Sequence, residues 1–386
     1  TARPDAPDLG ALYTDAISIE KLPDAVTFKP GQSVTLRGAL GDSLHAVNKA
    51  TGGAIISASA DLLGSTSVCN ISKGFPEGFY NAAANPRART IAMGGICEDM
   101  MGAFMAGLSA YGTNLGVGSS YGAFIAAMQH TAARLHGIGA QARREAFGIP
   151  YGTWVMVNAH AGLKTGEDGP THADPQALQL LQGNFPKGIC ITLTPWEPEE
   201  IWPLVVAGLK ARPAVLAPFV TRPNETIVDR AKLSLPPAAA TVKGLYHLRR
   251  ADHAKKPYHG TVVLQESGVT YEFVKTALPK IIAQGLNLNV VYVSSAELFD
   301  ALPATEQEQI FPDRMAQEAI GITGFTLPTM HRWIRSAAGI ERSLHPFKKG
   351  HYLGSGPAER VLQEAGLDGE SIWKDVEAYA QEMAKG

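Results

Sequence analysis

The sequence predicts an α/β protein of two three-layer domains, a larger one followed by a smaller one. Strand-like runs at 54–60, 154–158, 189–193 and 214–220 alternate with helix-like stretches at 41–50, 98–110, 124–135 and 198–210. That pattern is a mostly parallel sheet with helices on both faces. After a stretch rich in proline and alanine, the alternation resumes with strands at 261–265 and 289–293 and helices at 271–284, 358–364 and 370–385. At 386 residues, 45% apolar and 18% charged, the chain is long enough for two or three packed domains.

Residues 1–32 hold four prolines and scattered apolar positions, so they read as an arm lying on another surface. The larger domain is expected at 33–222, a linker at 223–257 and the smaller domain at 258–386. Pro236, Pro237, an alanine run and the basic cluster Arg249, Arg250, Lys255 and Lys256 support the linker, with the charge taken as solvated surface.

A formal charge of -2 gives no electrostatic footprint for nucleic acid or an anionic membrane, so small molecules or proteins are the expected partners. The best candidate for a membrane span, 201–220, is broken by Lys210, Arg212 and three prolines. The first residues lack the apolar core of a signal peptide, and a cytoplasmic location is expected. Cys69, Cys97 and Cys190 are too widely spaced for a disulfide framework or a metal site, and reduced, mostly packed thiols are expected.

The densest polar cluster, 160–172, follows the strand-like run at 154–158 and carries His160, Asp168 and His172 among glycines. Ligands of open α/β sheets bind at the carboxyl ends of strands, so this loop is well placed for catalysis; read alone, it is also an ordinary turn. Glu98 begins a helix-like stretch of apolar and small residues. Partial desolvation would raise its pKa and suit it to share a proton with a ring nitrogen; a dipole-favoured helix-start acid is the plainer reading. Gly94, Gly95, Gly102 and Gly107 leave small surfaces for a close helix contact, within the chain or between subunits. Arg37, Ser65 and Arg222 could pair with a phosphate, although each alone also suits a surface or cap.

Taken together, these motifs resemble transketolase. Gly-Glu-Asp-Gly-Pro-Thr-His at 166–172 is similar to that family's substrate-loop signature, 94–112 resembles its glutamate helix, and Ser59-Ala-Asp-Leu62 with Ser65 matches a third segment. The resemblance runs from about Thr35 to the end and corresponds to the family's second half. It implies a pyrimidine-binding thiamine diphosphate fold followed by a smaller C-terminal-type domain, with two-carbon ketol transfer between sugar phosphates as the activity. Glu98 would contact the aminopyrimidine and promote its imino form. Tyr121 and Phe124 would stack around that ring, and Asp61 would lie on the cofactor side. Arg37, Ser65, His160 and Arg222 would hold a sugar phosphate, Asp168 a substrate hydroxyl, and His172 would stand near the reacting oxygens.

Some positions depart from the family's pattern. His-Asp-Ser becomes His160-Ala161-Gly162, Asp99 follows the glutamate where histidine is usual, and Ala127 or Met128 replaces a third aromatic. Lengths near 137–151 and 223–257 also differ. The family's Gly-Asp-Gly motif for the cofactor diphosphate and its magnesium or calcium ion has no match; Gly41-Asp42-Ser43 opens a helix in another segment. No metal ligands are therefore assigned here, and a partner chain equivalent to the family's first half is expected, in a heterotetramer with a two-fold pair of this chain. The competing readings are the β-type subunit of a 2-oxoacid dehydrogenase and a non-catalytic regulatory subunit of the same fold.

Overall fold

The computed structural model describes residues 6–60 and 62–385. After a short strand β1 (Ser33–Thr35), the larger domain builds a sheet from β2 (Ile55–Ser59), β3 (Leu115–Tyr121), β4 (Trp154–Ala159), β5 (Cys190–Leu193) and β6 (Val215–Pro218). Their order is β2-β3-β4-β6-β5 and every pairing is parallel. All residues of these strands are buried, as helices on both faces require.

β3, at the heart of the sheet, is absent from the expected strands because Gly116 and Gly118 dilute its β-branched pattern. Gly116 serves packing. A Cβ on Gly116 would lie 2.1 Å from the Met105 carbonyl oxygen, so only glycine lets the helix Glu98–Tyr111 rest on the strand at this distance. That helix ends at Gly112, in the left-handed region at φ 92°, and the chain turns back into β3. Fourteen helical residues span about 21 Å and seven strand residues about 23 Å. The start of the helix is thereby returned to the carboxyl end of β3.

The stripe expected at Gly102 and Gly107 divides. Gly102 is internal: a Cβ there would meet Met128 at 3.2 Å and Trp154 at 3.4 Å. Gly107 is open, with nothing within 4 Å, on an outward face that also exposes Met100, Phe104 and Tyr111. The helix expected at 124–135 is longer. Ile125–His130 continues through a π-helical turn, Thr131–Gly137, into Ile138–Phe147, which absorbs most of the extra length near 137–151.

The stretch expected as a linker is ordered. β7 (Asn224–Thr226) pairs antiparallel with β1, and β8 (Leu245–Arg249) forms the edge of the second sheet. Leu245, Tyr246 and Leu248 are buried in the second domain's cores, while Pro236 and Pro237 stand before the strand and leave its ladder intact. With β9 (Thr261–Gln265), β10 (Asn289–Val293) and β11 (Ile320–Thr323) the order is β11-β9-β10-β8, and only β8 is antiparallel. The arm does lie on the larger domain: Leu12, Ile17 and Val26 enter its core, and Trp202 Nε1 donates to the Ser18 carbonyl at 3.1 Å.

Among the described residues, no helix is long and apolar enough to cross a membrane, and no group of three His, Cys, Asp or Glu side chains could hold a metal ion. Asp42 is taken up by Asn70 (2.9 Å) and Lys73 (3.1 Å). The cysteines are free, but only Cys190 is buried; Cys69 is exposed and Cys97 half-buried, so mostly packed thiols are not what the fold contains.

Candidate active site

The carboxyl ends of β2, β3 and β4 lie side by side, and the candidate residues leave from them. Ser65 follows β2, Tyr121 ends β3, and His160 is the first residue after β4, held in the left-handed region at φ 57°. Arg222 follows β6, and Arg37 stands in the first turn of the helix Leu36–Ala50. Parallel pairing therefore brings residues far apart in sequence to one edge of the sheet.

There they form a connected cluster. His160 Nδ1 lies 2.5 Å from Asp168 Oδ2, and Arg222 Nη1 donates to Asp168 Oδ1 at 2.6 Å. On the other side of the ring, Nε2 is 3.2 Å from Arg37 Nη1 and 3.0 Å from the Ser65 carbonyl oxygen. Arg37 Nη1 also donates to that carbonyl, and the Tyr121 hydroxyl donates to Ser65 Oγ at 3.0 Å. The Tyr121 ring stacks on His160 with centroids 4.2 Å apart. Burial pulls the imidazole below its ordinary pKa; the Ser65 carbonyl and Asp168 offset this only in part. The contact with the acceptor-only Asp168 carboxylate assigns a proton to Nδ1, while Nε2 faces both a donor, Arg37, and an acceptor, the Ser65 carbonyl.

Arg37 Nε is buried without a hydrogen-bond partner among the described residues. Burial, then the charge of Arg222, draws the Arg37 guanidinium below its ordinary value, yet a guanidinium keeps its proton. The cluster opens on a cleft of about 380 Å³ that also carries Lys164, Glu167 and Glu359. Two guanidinium groups and an orphaned N–H suit an anion of phosphate or sulfonate type.

Glu98 occupies the end of β3 beside this cluster. Its Oε1 accepts from Ser120 Oγ at 2.8 Å, and Oε2 has no hydrogen-bond partner among the described residues. The side chain is half-buried, less shielded than its apolar surroundings in sequence suggest. Phe124 stands 6.2 Å from Tyr121 and edge-on to His172 at 5.4 Å, and the Ala123 N–H donates to the His172 carbonyl at 3.2 Å. His172 Nδ1 pairs with Thr171 Oγ1 at 2.8 Å. A carboxylate with an oxygen to spare, bonded to the residue before Tyr121, suits a heteroaromatic ring presenting a nitrogen.

Comparison with known proteins agrees. Residues 32–222 match the family model of the transketolase pyrimidine-binding domain. This chain belongs to the transketolase family. The transketolase of Rhodobacter capsulatus is 27% identical over 281 residues, covering 72% of this chain and 38% of the relative. The solved transketolase of Leishmania mexicana superposes with a TM-score of 0.73 at 18% identity, over 98% of this chain and 48% of that one. The transketolase of Pichia stipitis in complex with sedoheptulose 7-phosphate gives 0.72 at 19% identity, over 93% and 48%. The chain spans about half the length of these transketolases, or less.

Of the site residues expected from the transketolase motifs, Arg37, Ser65, Tyr121, His160, Asp168 and Arg222 share one network, with Phe124 and His172 against it and Glu98 along β3. Asp61 lies outside the described residues. Of the two replacements for the third aromatic, Met128 is core and Ala127 half-buried. Sequence reasoning missed Ser120, hidden in the unforeseen strand β3, and Glu266, whose one signal is an acid directly after the apolar run 261–265.

Proposed function

We propose that this chain is the pyrimidine-binding half of a thiamine diphosphate-dependent transketolase, moving a two-carbon ketol unit between anionic sugars. The observation that carries it is the joining, along one strand, of the Glu98–Ser120 pair and the Arg37–Ser65–His160–Asp168–Arg222 clamp. The free Glu98 oxygen and the neighbouring rings of Tyr121 and Phe124 fit the pyrimidine half of thiamine diphosphate. When bound, that cofactor supplies the carbanion chemistry that protein side chains lack.

This chain's own residues then bind and orient. Glu98 Oε2 shares a proton with the ring nitrogen while Ser120 fixes the other oxygen. Arg37 and Arg222 hold the sugar's anionic end, and His160, between Asp168 and Arg37, ties the two sides of the clamp together. Each Asp168 oxygen keeps a lone pair beyond its present bond, so Asp168 can also accept a substrate hydroxyl. His172, against the rings of Tyr121 and Phe124, is assigned to the reacting oxygens by the transketolase motif.

The cofactor diphosphate and a magnesium or calcium ion are assigned to a partner chain equivalent to the family's first half. The reading draws on the match of residues 32–222 to the pyrimidine-binding domain, which is one part of the transketolase site. Two copies of each chain would form a heterotetramer in the cytoplasm, with Gly107 on the face between copies. The bound sugar phosphate of the Pichia stipitis enzyme supports an anionic ketose as donor.

Donor competition tests the activity. In the presence of the partner, a ketose phosphate should be consumed with transfer to an aldose, whereas a 2-oxoacid should not. Turnover of the 2-oxoacid alone would replace this reading with the β-type dehydrogenase subunit; binding of neither donor would leave a non-catalytic role.

A further inference from the structure

β9 is flanked by parallel neighbours on both sides, and a helix starting at Ser267 leaves from its carboxyl end. In open α/β sheets such a crevice, beside the first N–H groups of a helix, is where anions bind. Here the chain's own Glu266 fills it. The side chain is buried and accepts from the N–H groups of Gly268 at 2.8 Å and Val269 at 3.0 Å. Its backbone stands at φ 93°, ψ 145°, a region glycine ordinarily occupies.

The carboxylate faces the other domain. A Cβ on Gly162 would lie 2.2 Å from Glu266 Oε1, and one on Gly324 would lie 2.2 Å from Oε2, so a side chain at either position would displace the Glu266 carboxyl group. Gly162 is two residues beyond His160 and is itself at φ 83°. It stands where the transketolase pattern has serine, and the space such a side chain would need is taken by Glu266. The second domain grips the rest of the loop in the same manner: Gly356 N–H donates to the Gly166 carbonyl at 2.9 Å, and Gly169 packs on Ser355.

We propose that Glu266 is a positioning residue for the anion clamp, its carboxyl group filling the crevice at the end of β9 and fixing Gly162, and through it His160. The strained backbone persists because glycine at 266 would relieve it but would remove the carboxylate that meets Gly162. The ligand in this proposal rests on the transketolase reading; the contact between the domains does not.

The test uses the full chain labelled with ¹³C-histidine, as wild type, Glu266→Gly and Glu266→Gln, with inorganic phosphate as the probe. In Glu266→Gly, which removes the strain as well as the carboxylate, the His160 ring signals should move and broaden. Phosphate affinity should fall about tenfold or more, since small misplacements of a binding group cost that much. Glu266→Gln, which fills the same space and keeps one acceptor, should recover most of both. If Glu266→Gly does not fold, Gly162→Ala approaches the same contact from the other side and should move the same signals. Unchanged His160 signals in a folded Glu266→Gly or Gly162→Ala would overturn the proposal and leave Glu266 a helix cap. If the wild type bound no phosphate, the clamp in the proposed function would fail, while the His160 signals would still decide the role of Glu266.

Discussion

Each residue at the candidate site is defined by what it is bonded to, and that makes its removal informative. Glu98 has one oxygen fixed by Ser120 and one free, so Glu98→Gln keeps the shape and loses the proton exchange. Turnover in the complex with the partner should drop roughly a hundredfold to ten-thousandfold, with cofactor binding partly retained. Near-normal turnover at saturating cofactor would remove Glu98 from the chemistry. Arg37→Ala and Arg222→Ala each delete a charge-assisted contact, which is worth about 1.5–3 kcal/mol. Each should raise the KM for phosphorylated sugars about tenfold or more and leave unphosphorylated sugars little affected; equal effects on both would show that neither holds the anion. Two buried groups set opposite pH limits. The depressed pKa of His160 favours the neutral ring, so its contribution to stability is present above the unfolded histidine value and fades as pH falls through the folded one. Burial raises Glu266 from 4.5 to about 7 against its two N–H donors and Lys164, with Glu225 adding to the rise. Its contribution is full below 4.5 and is lost as pH rises through about 7, on the order of 3 kcal/mol in all. The stability difference between wild type and Glu266→Gln, from urea melts across about pH 4 to pH 8, should shrink toward the alkaline end. A difference independent of pH would mean that Glu266 does not titrate as its burial requires.

At the scale of elements, the helix Glu98–Tyr111 and β3 act as one unit, and two of its glycines, one at the contact and one on the outer face, have opposite demands. A methyl at Gly116 would collide with the Met105 carbonyl, so Gly116→Ala should destabilise by about 1–3 kcal/mol and loosen the Glu98–Ser120 pair. Gly107→Ala meets nothing and gains helix propensity, so the isolated chain should be stabilised by up to about 1 kcal/mol. Urea melts of the two variants check the pair of signs; a stabilised Gly116→Ala would show that the close approach is not what Gly116 is for. The same unit shows how far sequence reading reaches. Both helical and strand periodicities were plain where side chains were large, as at 98–110, 154–158, 261–265 and 289–293. β3 was obscured because the close packing that puts Glu98 in place requires glycine at 116, and a second glycine at 118 further dilutes the strand pattern. β8 was obscured by the prolines before it and the arginines after it, although Leu245, Tyr246 and Leu248 carry an apolar signal. At the site, motif spacing brought out Glu98, His160, Asp168 and His172, and the resemblance added Tyr121 and Phe124. Ser120 and Glu266 depend on tertiary contact, which no spacing along the chain reports.

For the whole molecule, the two domains meet at the loop 160–172: β4 delivers it, and Glu266, Ser355 and Gly356 hold it from behind. In the proposed enzyme this chain supplies the pyrimidine and anion contacts of a site completed by a second half. The most direct measurement is ketol transfer by the purified chain with thiamine diphosphate, magnesium and a ketose phosphate donor, alone and with the partner chain added. The chain alone should be inert, activity should appear with the partner, and Glu98→Gln in this chain should abolish it. Turnover by this chain alone, with no second polypeptide visible by mass spectrometry, would contradict the claim.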